Sequence, residues 1–278
     1  MEYILETYNL EKKYQNFRAI SNLSMHIEKG SIYGLIGKNG AGKTTLMRLI
    51  CGLQKPSKGC YKICGIPNED KKIFEMRKKI GAIIEKSSAY SDMTAEENLK
   101  EQYKIIGVPF NESKLNEILV LVGLDKARKK KFKEFSLGMK QRLGLAIALI
   151  GNPNFLILDE PINGLDPEGI IEVRELILKL NKEKGITFLI SSHYLDELSK
   201  IAHFSSQYLS KVFHQTTGLT IKSYITLKRI ESAKYLLKNS KLSIQEIAVS
   251  CGFPNLSHFD RVFKQQTGFS PISYRNDW

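Results

Sequence analysis

The apolar positions of residues 1–203 form short continuous runs that are separated by glycine turns and longer segments. Three runs stand out: Ile32 to Ile36, "FLIL" directly before Asp159, and "TFLI" within "ITFLISSH". Apolar runs of this length without polar interruption are typical of strands that are buried on both faces. Their alternation with glycine turns and helical segments predicts an α/β domain.

Residues 204–278 have a different period, because their apolar side chains recur at i, i+3 and i+4. The stretches 207–224 and 257–274 also match each other at a constant offset of 50, with 7 identities in 18 positions, which indicates an internal duplication. Each copy contains an amphipathic helix followed by a glycine. The apolar stripes are Leu209, Val212 and Phe213 in the first copy, and Phe259, Val262 and Phe263 in the second.

Two more helices are predicted next to the second copy. "SIQEIAVSCGF" predicts a short helix with Ser243 as its N-cap and Gly252 in the following turn, so that this helix, the turn and the next helix form a helix-turn-helix. One further apolar stripe predicts a longer helix that spaces the two copies. It consists of Tyr224, Leu227, Ile230, Ala233 and Leu237.

Charge and glycine content separate the same two parts of this 278-residue chain, whose net charge is +13. Residues 1–203 contain 32 Lys and Arg against 25 Asp and Glu, and residues 204–278 contain 10 against 4. Glycine falls from 17 residues in the first part to 3 in the second. We therefore predict two domains with a boundary near residue 203. The more basic second domain suits a partner that carries phosphates, although a basic face can also be solvated surface.

Two observations predict a cytoplasmic protein. No apolar run approaches the roughly 18 residues of a membrane span, and the charged N-terminal segment has no apolar centre of the kind a secretory signal needs. The four cysteines contain no CxxC pair, so we expect reduced, small apolar residues rather than disulfides or zinc ligands. They are Cys51, Cys60, Cys64 and Cys251.

A glycine-rich turn follows the first apolar strand, in "SIYGLIGKNGAGKTTLMRLI". Its spacing fits GxxxxGK[ST], in which backbone N–H groups and a helix N-terminus surround phosphates and the lysine reaches the β/γ oxygens. The hydroxyl of Thr44 is then available for Mg²⁺. The candidate phosphate ligands are Gly37, Lys38, Asn39, Gly40, Ala41, Gly42, Lys43, Thr44 and Thr45.

Two carboxylates end the second strand, in "NFLILDEP". Ligands of α/β sheets bind at the carboxyl ends of strands, so we expect Asp159 to hold Mg²⁺ and Glu160 to act as general base or to orient the attacking water. His193 ends the third strand and is a candidate hydrogen-bond partner of the γ-phosphate and of that water.

These motifs resemble the ATP-binding subunits of ABC transporters, and more narrowly the branch associated with export of bacitracin and lantibiotic-like peptides. "SLGMKQ" matches the signature segment and "NGLDP" the D-loop, and Tyr14 matches the aromatic residue that stacks on adenine. The resemblance covers nearly all of residues 1–202. It implies ATP and Mg²⁺ as cofactors and a separate membrane permease. It also implies a head-to-tail dimer in which Ser136 and Gly138 complete the ATP site of the other subunit.

Two positions depart from the ABC pattern. Glu85 occupies the place where most of the superfamily has glutamine; it could ligate Mg²⁺ but cannot donate an amide hydrogen bond. Ile162 replaces a usual threonine beside the D-loop. The basic run 126–132 is predicted to be a solvated face, with an acidic lipid or a partner as the alternative.

Residues 204–275 resemble the C-terminal DNA-binding domain of AraC/XylS-type regulators through "RIESAKYLL", "SIQEIAVSCGF" and "HFDRVFKQQTGFSP". Paired helix-turn-helix units of this kind would enter successive major grooves of duplex DNA. The candidate contacts are side chains off the apolar stripes: Ser206, Gln207, Lys211, Asn255, Ser257, His258 and Arg261.

The predicted fold is thus an α/β P-loop NTPase domain of the ABC type (1–203), followed by a small all-α double helix-turn-helix domain (204–278). Both domains are predicted to be truncated where they meet. At the offset of 50, residues 194–202 fall opposite 244–252, so this helix could replace the missing first helix of the DNA-binding domain.

The leading hypothesis is an ATP-hydrolysing subunit of a peptide-antibiotic exporter with an attached DNA-binding domain. The protein would be cytoplasmic, and peripheral to the inner face of the cell membrane if bound to a permease. The alternatives are a transcription regulator that carries a nucleotide-binding module, and a non-functional fusion.

Overall fold

A computed structural model describes residues 2–15, 17–37, 40–85, 89–192, 218–240, 242–253 and 255–276. The chain divides into two compact units, Met1–Phe204 and Ser205–Trp278. The domain boundary near residue 203 lies outside the described residues and stays a prediction. So does the proposed replacement of a missing helix by residues 194–202.

The described residues of the first unit form two sheets. The strands are β1 (Tyr3–Tyr14), β2 (Phe17–Glu28), β3 (Ile32–Ile36), β4 (Lys58–Ile63), β5 (Ile66–Pro67), β6 (Ile80–Ile83), β7 (Phe155–Asp159) and β8 (Thr187–Ser192). One sheet has the order β2-β1-β4-β5 and pairs its strands antiparallel. The other has the order β3-β8-β7-β6 and pairs them parallel, as the continuous apolar runs predict.

Helices cover both faces of the parallel sheet. They are α1 (Lys43–Ile50), α2 (Ile73–Arg77), α3 (Ala95–Ile106), α4 (Glu112–Leu121), α5 (Leu137–Leu149) and α6 (Pro167–Lys184). Phe155 and Ile157 of β7 pack into one core together with α1, whereas Leu156 and Leu158 pack into the other core with α5 and α6. All five residues of β7 are buried, so the strand has no solvent-facing side.

The second unit consists of α7 (Ile221–Asn239), α8 (Ile244–Ser250), α9 (Leu256–Thr267) and α10 (Pro271–Asn276) in its described residues. Ser243 caps α8 in a capping box with Glu246, and Gly252 has a left-handed φ of 77° in the turn before α9. The predicted second helix-turn-helix is therefore confirmed. The first copy lies almost wholly outside the described residues.

The spacer stripe on α7 is buried only in part. Ile230, Ala233 and Leu237 pack in one core with residues of α8 and α9, among them Phe259 and Phe263. Tyr224 and Leu227 are more than a third exposed, because α8 and α9 pack along the C-terminal part of α7. Across the described part of the chain, every helix is too short or too polar to cross a lipid bilayer.

Candidate nucleotide-binding site

Three strands of the parallel sheet bring the predicted site residues to one edge. β8 lies between β3 and β7, and its register places Ser192 opposite Ile36 and Ser191 opposite Asp159. Because the strands are parallel, their carboxyl ends meet at the same edge. The phosphate loop after β3, the acidic pair after β7 and the end of β8 are therefore neighbours.

The phosphate loop closes tightly at its two ends. The Gly37 N–H donates to the carbonyl oxygen of Ser192 at 3.3 Å. Gly42 has a φ of 87°, and a Cβ there would lie 2.3 Å from the carbonyl oxygen of Ala19 in β2. Only glycine fits at this approach of two backbones. The loop then leads directly into the N-terminus of α1, and the N-terminus of a helix favours an anion.

The remaining loop residues have varied exposure. Gly40 also has a left-handed φ, and open space surrounds the position where its Cβ would be. Ala41 is exposed and Thr45 is half-buried. Lys38, Asn39 and His193 lie outside the described residues, so their predicted roles stay predictions.

Lys43 connects the loop to the acidic pair. Its side chain is 6% exposed, its ammonium donates to the Gly37 carbonyl oxygen, and its Nζ lies 3.7 Å from Glu160 Oε1. A buried ammonium of this kind needs anionic or carbonyl partners. Its position beside the loop fits a role in phosphate binding.

A chain of hydrogen bonds joins the loop to β7 and β8. Thr44 Oγ1 donates to Asp159 Oδ2 at 2.7 Å, and Ser191 Oγ donates to Asp159 Oδ1 at 2.6 Å. The Glu160 N–H in turn donates to Ser191 Oγ at 2.9 Å. Asp159 and Ser191 are buried, so the bond between them lies in a medium of low dielectric where it is strengthened.

Glu160 projects from an unusual backbone conformation. Its φ is 52°, in the left-handed region that disfavours a glutamate. Asn163 Nδ2 donates to Glu160 Oε2 at 3.1 Å, on the other oxygen from Lys43. Ile162, the departure from the D-loop pattern, is 3% exposed and packs in the core.

Two predicted ligands have partners that the sequence did not indicate. Glu85, a candidate Mg²⁺ ligand, has a left-handed φ of 67° and forms an ion pair with Arg48 of α1 at 2.5 Å. Tyr14, the candidate adenine-stacking residue, is 38% exposed at the end of β1, and its hydroxyl donates to Gln54 Oε1. The ammonium of Lys12 lies 5.2 Å from the centroid of the Tyr14 ring.

The signature segment starts a helix. Ser136 is the exposed N-cap of α5 and accepts a hydrogen bond from the Met139 N–H at 3.3 Å, and Gly138 is half-buried in the first turn. A capped helix N-terminus that stays accessible suits an anion from another molecule. The predicted role across a dimer stays a prediction.

The DNA-contact candidates on α9 separate into two groups. Ser257 and Arg261 are exposed one turn apart, whereas Asn255 is the N-cap and accepts from the His258 N–H at 2.8 Å. The His258 ring packs against Phe253, with centroids 5.8 Å apart.

Lys264 is also exposed and extends the row of Ser257 and Arg261, because it lies seven residues after Ser257 and three after Arg261. The sequence did not indicate Lys264 as a DNA contact. Ser206, Gln207 and Lys211 lie outside the described residues.

The residues present fit a nucleotide with a divalent cation. The Thr44 hydroxyl and the Asp159 carboxylate are hard oxygen ligands of the type that Mg²⁺ takes together with phosphates. Because the loop glycines lack side chains, the loop backbone can surround phosphates closely, and Lys43 supplies the positive charge. Ser191, Asn163 and Arg48 were missed from the sequence, because their contacts depend on strand register and loop conformation.

The fold and this edge of the sheet define a P-loop nucleotide-binding domain of the ATP-binding cassette class. The family model described as "ABC transporter" matches residues 20–163, and the chain belongs to this family, which implies nucleotide binding. The model described as "Helix-turn-helix domain" matches residues 198–277. Both resemblances stated from the sequence are thus confirmed.

Two relatives match nearly three quarters of the chain. The bacitracin transport ATP-binding protein BcrA of Enterococcus faecalis is 46% identical over 202 residues, which is 73% of this chain and 65% of that protein. The lantibiotic transport ATP-binding protein SrtF of Streptococcus pyogenes is 44% identical over 208 residues, which is 72% of this chain and 85% of that protein. The chain thus spans just under two thirds of the length of BcrA.

Solved structures share the fold over 70% or more of the chain. CbiO1 of Clostridium perfringens, part of the ABC transporter complex CbiONQ, is 28% identical with a TM-score of 0.64, over 72% of this chain and 82% of that chain. MJ0796, a dimeric ATP-binding cassette in a post-hydrolysis state with ADP and phosphate, is 25% identical with a TM-score of 0.63. That match covers 70% of this chain and 90% of that chain.

Proposed function

We propose that the first unit binds and hydrolyses ATP with Mg²⁺ as the energy-supplying subunit of an ABC transporter. The observation that carries this proposal is the chain of contacts from Thr44 through Asp159 and Ser191 to Glu160, with Lys43 beside it. It combines a metal-binding hydroxyl and carboxylate, a phosphate-binding ammonium and a second carboxylate at one sheet edge.

The residues have separate tasks in this proposal. The loop N–H groups and Lys43 bind the phosphates, and Thr44 with Asp159 would hold the cation. A bound Mg²⁺ would neutralise charge that develops on the β- and γ-phosphates. Glu160 accepts a hydrogen bond from the attacking water and aligns it with the γ-phosphorus, as a general base or as an orienting group. His193 and Glu85 are proposed to assist at the γ-phosphate and the cation.

The transported substrate and the partners are further parts of the proposal. The names of BcrA and SrtF support export of peptide antibiotics, and the resemblance supports a separate permease that would hold this subunit at the inner face of the membrane. The dimeric structure of MJ0796 supports a second ATP-binding subunit. Ser136 and Gly138 would then contact the nucleotide bound to the other subunit, and Tyr14 would stack on its own adenine.

Two variants of the full chain test the ATPase proposal. We expect Glu160→Gln to keep ATP affinity and to lower turnover by about 100-fold or more, because loss of a general base has effects of this size. Lys43→Ala should weaken ATP binding as well, because its ammonium contacts phosphate in the ground state. ATP affinity and phosphate release are measured on the same preparations. Hydrolysis at the parental rate by Glu160→Gln would rule out the role of Glu160.

We propose in addition that the second unit binds duplex DNA. The exposed row of Ser257, Arg261 and Lys264 on α9 supports this, and so does the excess of Lys and Arg in residues 204–278. Arg261→Ala should cost about 1–3 kcal/mol at one base position, as for loss of a guanine contact, whereas Lys264→Ala should weaken binding to all sequences equally and reduce its salt dependence. Salt titrations on a randomised duplex library distinguish the two. Binding that neither variant changes would contradict this interface.

Assays of ATP turnover and of DNA binding on one sample also discriminate the alternatives. A regulator with a nucleotide-binding module would bind DNA and change its affinity when ATP is added. A non-functional fusion would show neither activity.

A further inference from the structure

The hydroxyl of Ser191 lies between the two acidic residues of the site. Ser191 is fully buried in β8 and is opposite Asp159 in the parallel register of β7 and β8. Its Oγ donates to Asp159 Oδ1 at 2.6 Å and accepts from the Glu160 N–H at 2.9 Å. The three residues before it, Phe188 to Ile190, are apolar and fully buried, so packing alone would favour an apolar side chain here.

One hydroxyl can serve both neighbours because it has one donor and two acceptor positions. The donor side fixes one oxygen of Asp159, and Thr44 holds the other at 2.7 Å. The carboxylate therefore cannot rotate without breaking a buried hydrogen bond. The acceptor side holds the amide of Glu160, the residue with the left-handed φ of 52°.

We propose that Ser191 is a positioning residue for both acids. It keeps Asp159 Oδ2 directed toward Thr44, where the two side chains would share a divalent cation, and it fixes the backbone from which Glu160 projects. This inference rests on the proposed function, which gives the cation to Asp159 and the water to Glu160. Partners that orient a metal ligand in this way typically change metal affinity or activity by about 10–100-fold when removed.

A matched pair of substitutions in the full chain tests the hydroxyl itself. Ser191→Thr keeps the hydroxyl and adds a methyl group, and Ser191→Val has the shape of threonine without the hydroxyl. For each we would measure the Mg²⁺ concentration that half-saturates binding of a fluorescent ATP analogue, the affinity for the analogue in EDTA, and kcat and KM for ATP. Thermal melting reports the stability of each variant.

We expect Ser191→Val to need about 10–100-fold more Mg²⁺ and to lose kcat by a similar factor, with unchanged affinity in EDTA. Ser191→Thr should match the parent within about threefold in each quantity. If Ser191→Val melts at a lower temperature but keeps the parental Mg²⁺ requirement and kcat, Ser191 only packs, and the proposal is overturned.

The Mg²⁺ titration separates this inference from the proposed function. Hydrolysis at the parental rate by Glu160→Gln contradicts the proposed role of Glu160 in the ATPase, whereas the Mg²⁺ requirement of the valine variant still decides the role of Ser191. If Ser191→Val does not fold, Ser191→Ala decides instead, because it removes the hydroxyl without adding volume.

Discussion

At the scale of single residues, two glutamates near the phosphate loop have left-handed backbones. Glu85 has a φ of 67° and Glu160 a φ of 52°, although glutamate is not among the residues that favour this region. Such conformations cost about 1–3 kcal/mol each and persist only where surrounding contacts impose them. Arg48 holds Glu85, and Ser191 with Asn163 holds Glu160. The contacts of these partners therefore determine where the two carboxylates point.

Asn163 provides the first prediction at this scale. Its amide donates to Glu160 Oε2 at 3.1 Å, so Asn163→Ala should leave ATP affinity unchanged and lower kcat by about threefold to tenfold, the effect of losing one exposed hydrogen bond. Steady-state kinetics and nucleotide titration on the full chain measure the two quantities.

The control for Asn163 is a double variant. If Asn163 acts through Glu160, then Asn163→Ala should have no further effect on turnover in a Glu160→Gln background. Additive losses in the double variant would show that Asn163 acts elsewhere.

At the scale of elements, the basic run 126–132 is largely exposed and is also tied to the N-terminus of α3. Its backbone closes on the N-terminus of α3, where the N–H groups of Ala95 and Glu96 donate to the carbonyl oxygens of Lys130 and Arg128. The Glu96 carboxylate is buried and accepts from Lys100, Lys129 and Arg128 at 2.7–2.9 Å. The prediction of a solvated face is thus confirmed for Lys126, Lys129, Lys130 and Lys131, which are exposed. The half-buried Arg128 has in addition a buried partner that lies 32 residues earlier in the chain.

This cluster predicts an acid-sensitive element. Hydrogen bonds from Lys100, Lys129 and Arg128 lower the pKa of Glu96 to about 2. Because the folded pKa is below the unfolded value, the contribution to stability is complete above about pH 5 and is lost as the pH falls toward 2. Glu96→Gln should lower the free energy of unfolding by about 1–3 kcal/mol at pH 7, since the charge-assisted hydrogen bonds that the buried carboxylate accepts from three cations are lost.

Urea unfolding of the parent and of Glu96→Gln between pH 3 and pH 7 checks this expectation. The difference in stability between the two proteins should shrink as the pH falls, and a Lys78→Gln control on an exposed ion pair should show almost no difference at any pH. A difference that stays constant with pH would contradict the electrostatic account.

The short helix α8 depends on its cap. It has seven residues, and Ser243 and Glu246 exchange hydrogen bonds across its first turn. Ser243→Ala should cost about 1 kcal/mol and raise amide exchange rates in α8 by about fivefold, whereas Ser243→Thr should preserve the parental rates. Hydrogen exchange measured by mass spectrometry resolves this peptide. Equal protection in all three proteins would contradict the role of the cap.

At the scale of the whole molecule, the sequence predicted what is local. The apolar runs predicted β3, β7 and β8, and the glycine spacing predicted the phosphate loop. The apolar periodicity together with Ser243 predicted α8 and α9. The sequence did not give strand register, so Ser191 opposite Asp159 was not foreseen. For the same reason the Arg48–Glu85 pair was missed, because it joins a helix to a loop 37 positions away.

The strand order has a consequence for how the chain folds during its synthesis. β8 is the last described strand of the first unit in sequence, yet it lies between β3, which carries the phosphate loop, and β7, which carries Asp159. Until residues 187–192 have left the ribosome, β3 has no partner through which to reach β7. Nucleotide binding can therefore not assist the early steps of folding. The ability to bind nucleotide should arise late in synthesis, once residues 187–192 have emerged.

Ribosome-bound chains halted at different lengths would reveal this order. With residues up to 186 outside the exit tunnel, we expect ATP to give no protection against protease, because the phosphate loop and the acidic pair are on unconnected strands. With residues up to 220 outside, ATP should protect the fragment. ATP protection of the shorter chain would mean that β8 is not required for nucleotide binding. A newly made chain would then bind its nucleotide before the parallel sheet is complete.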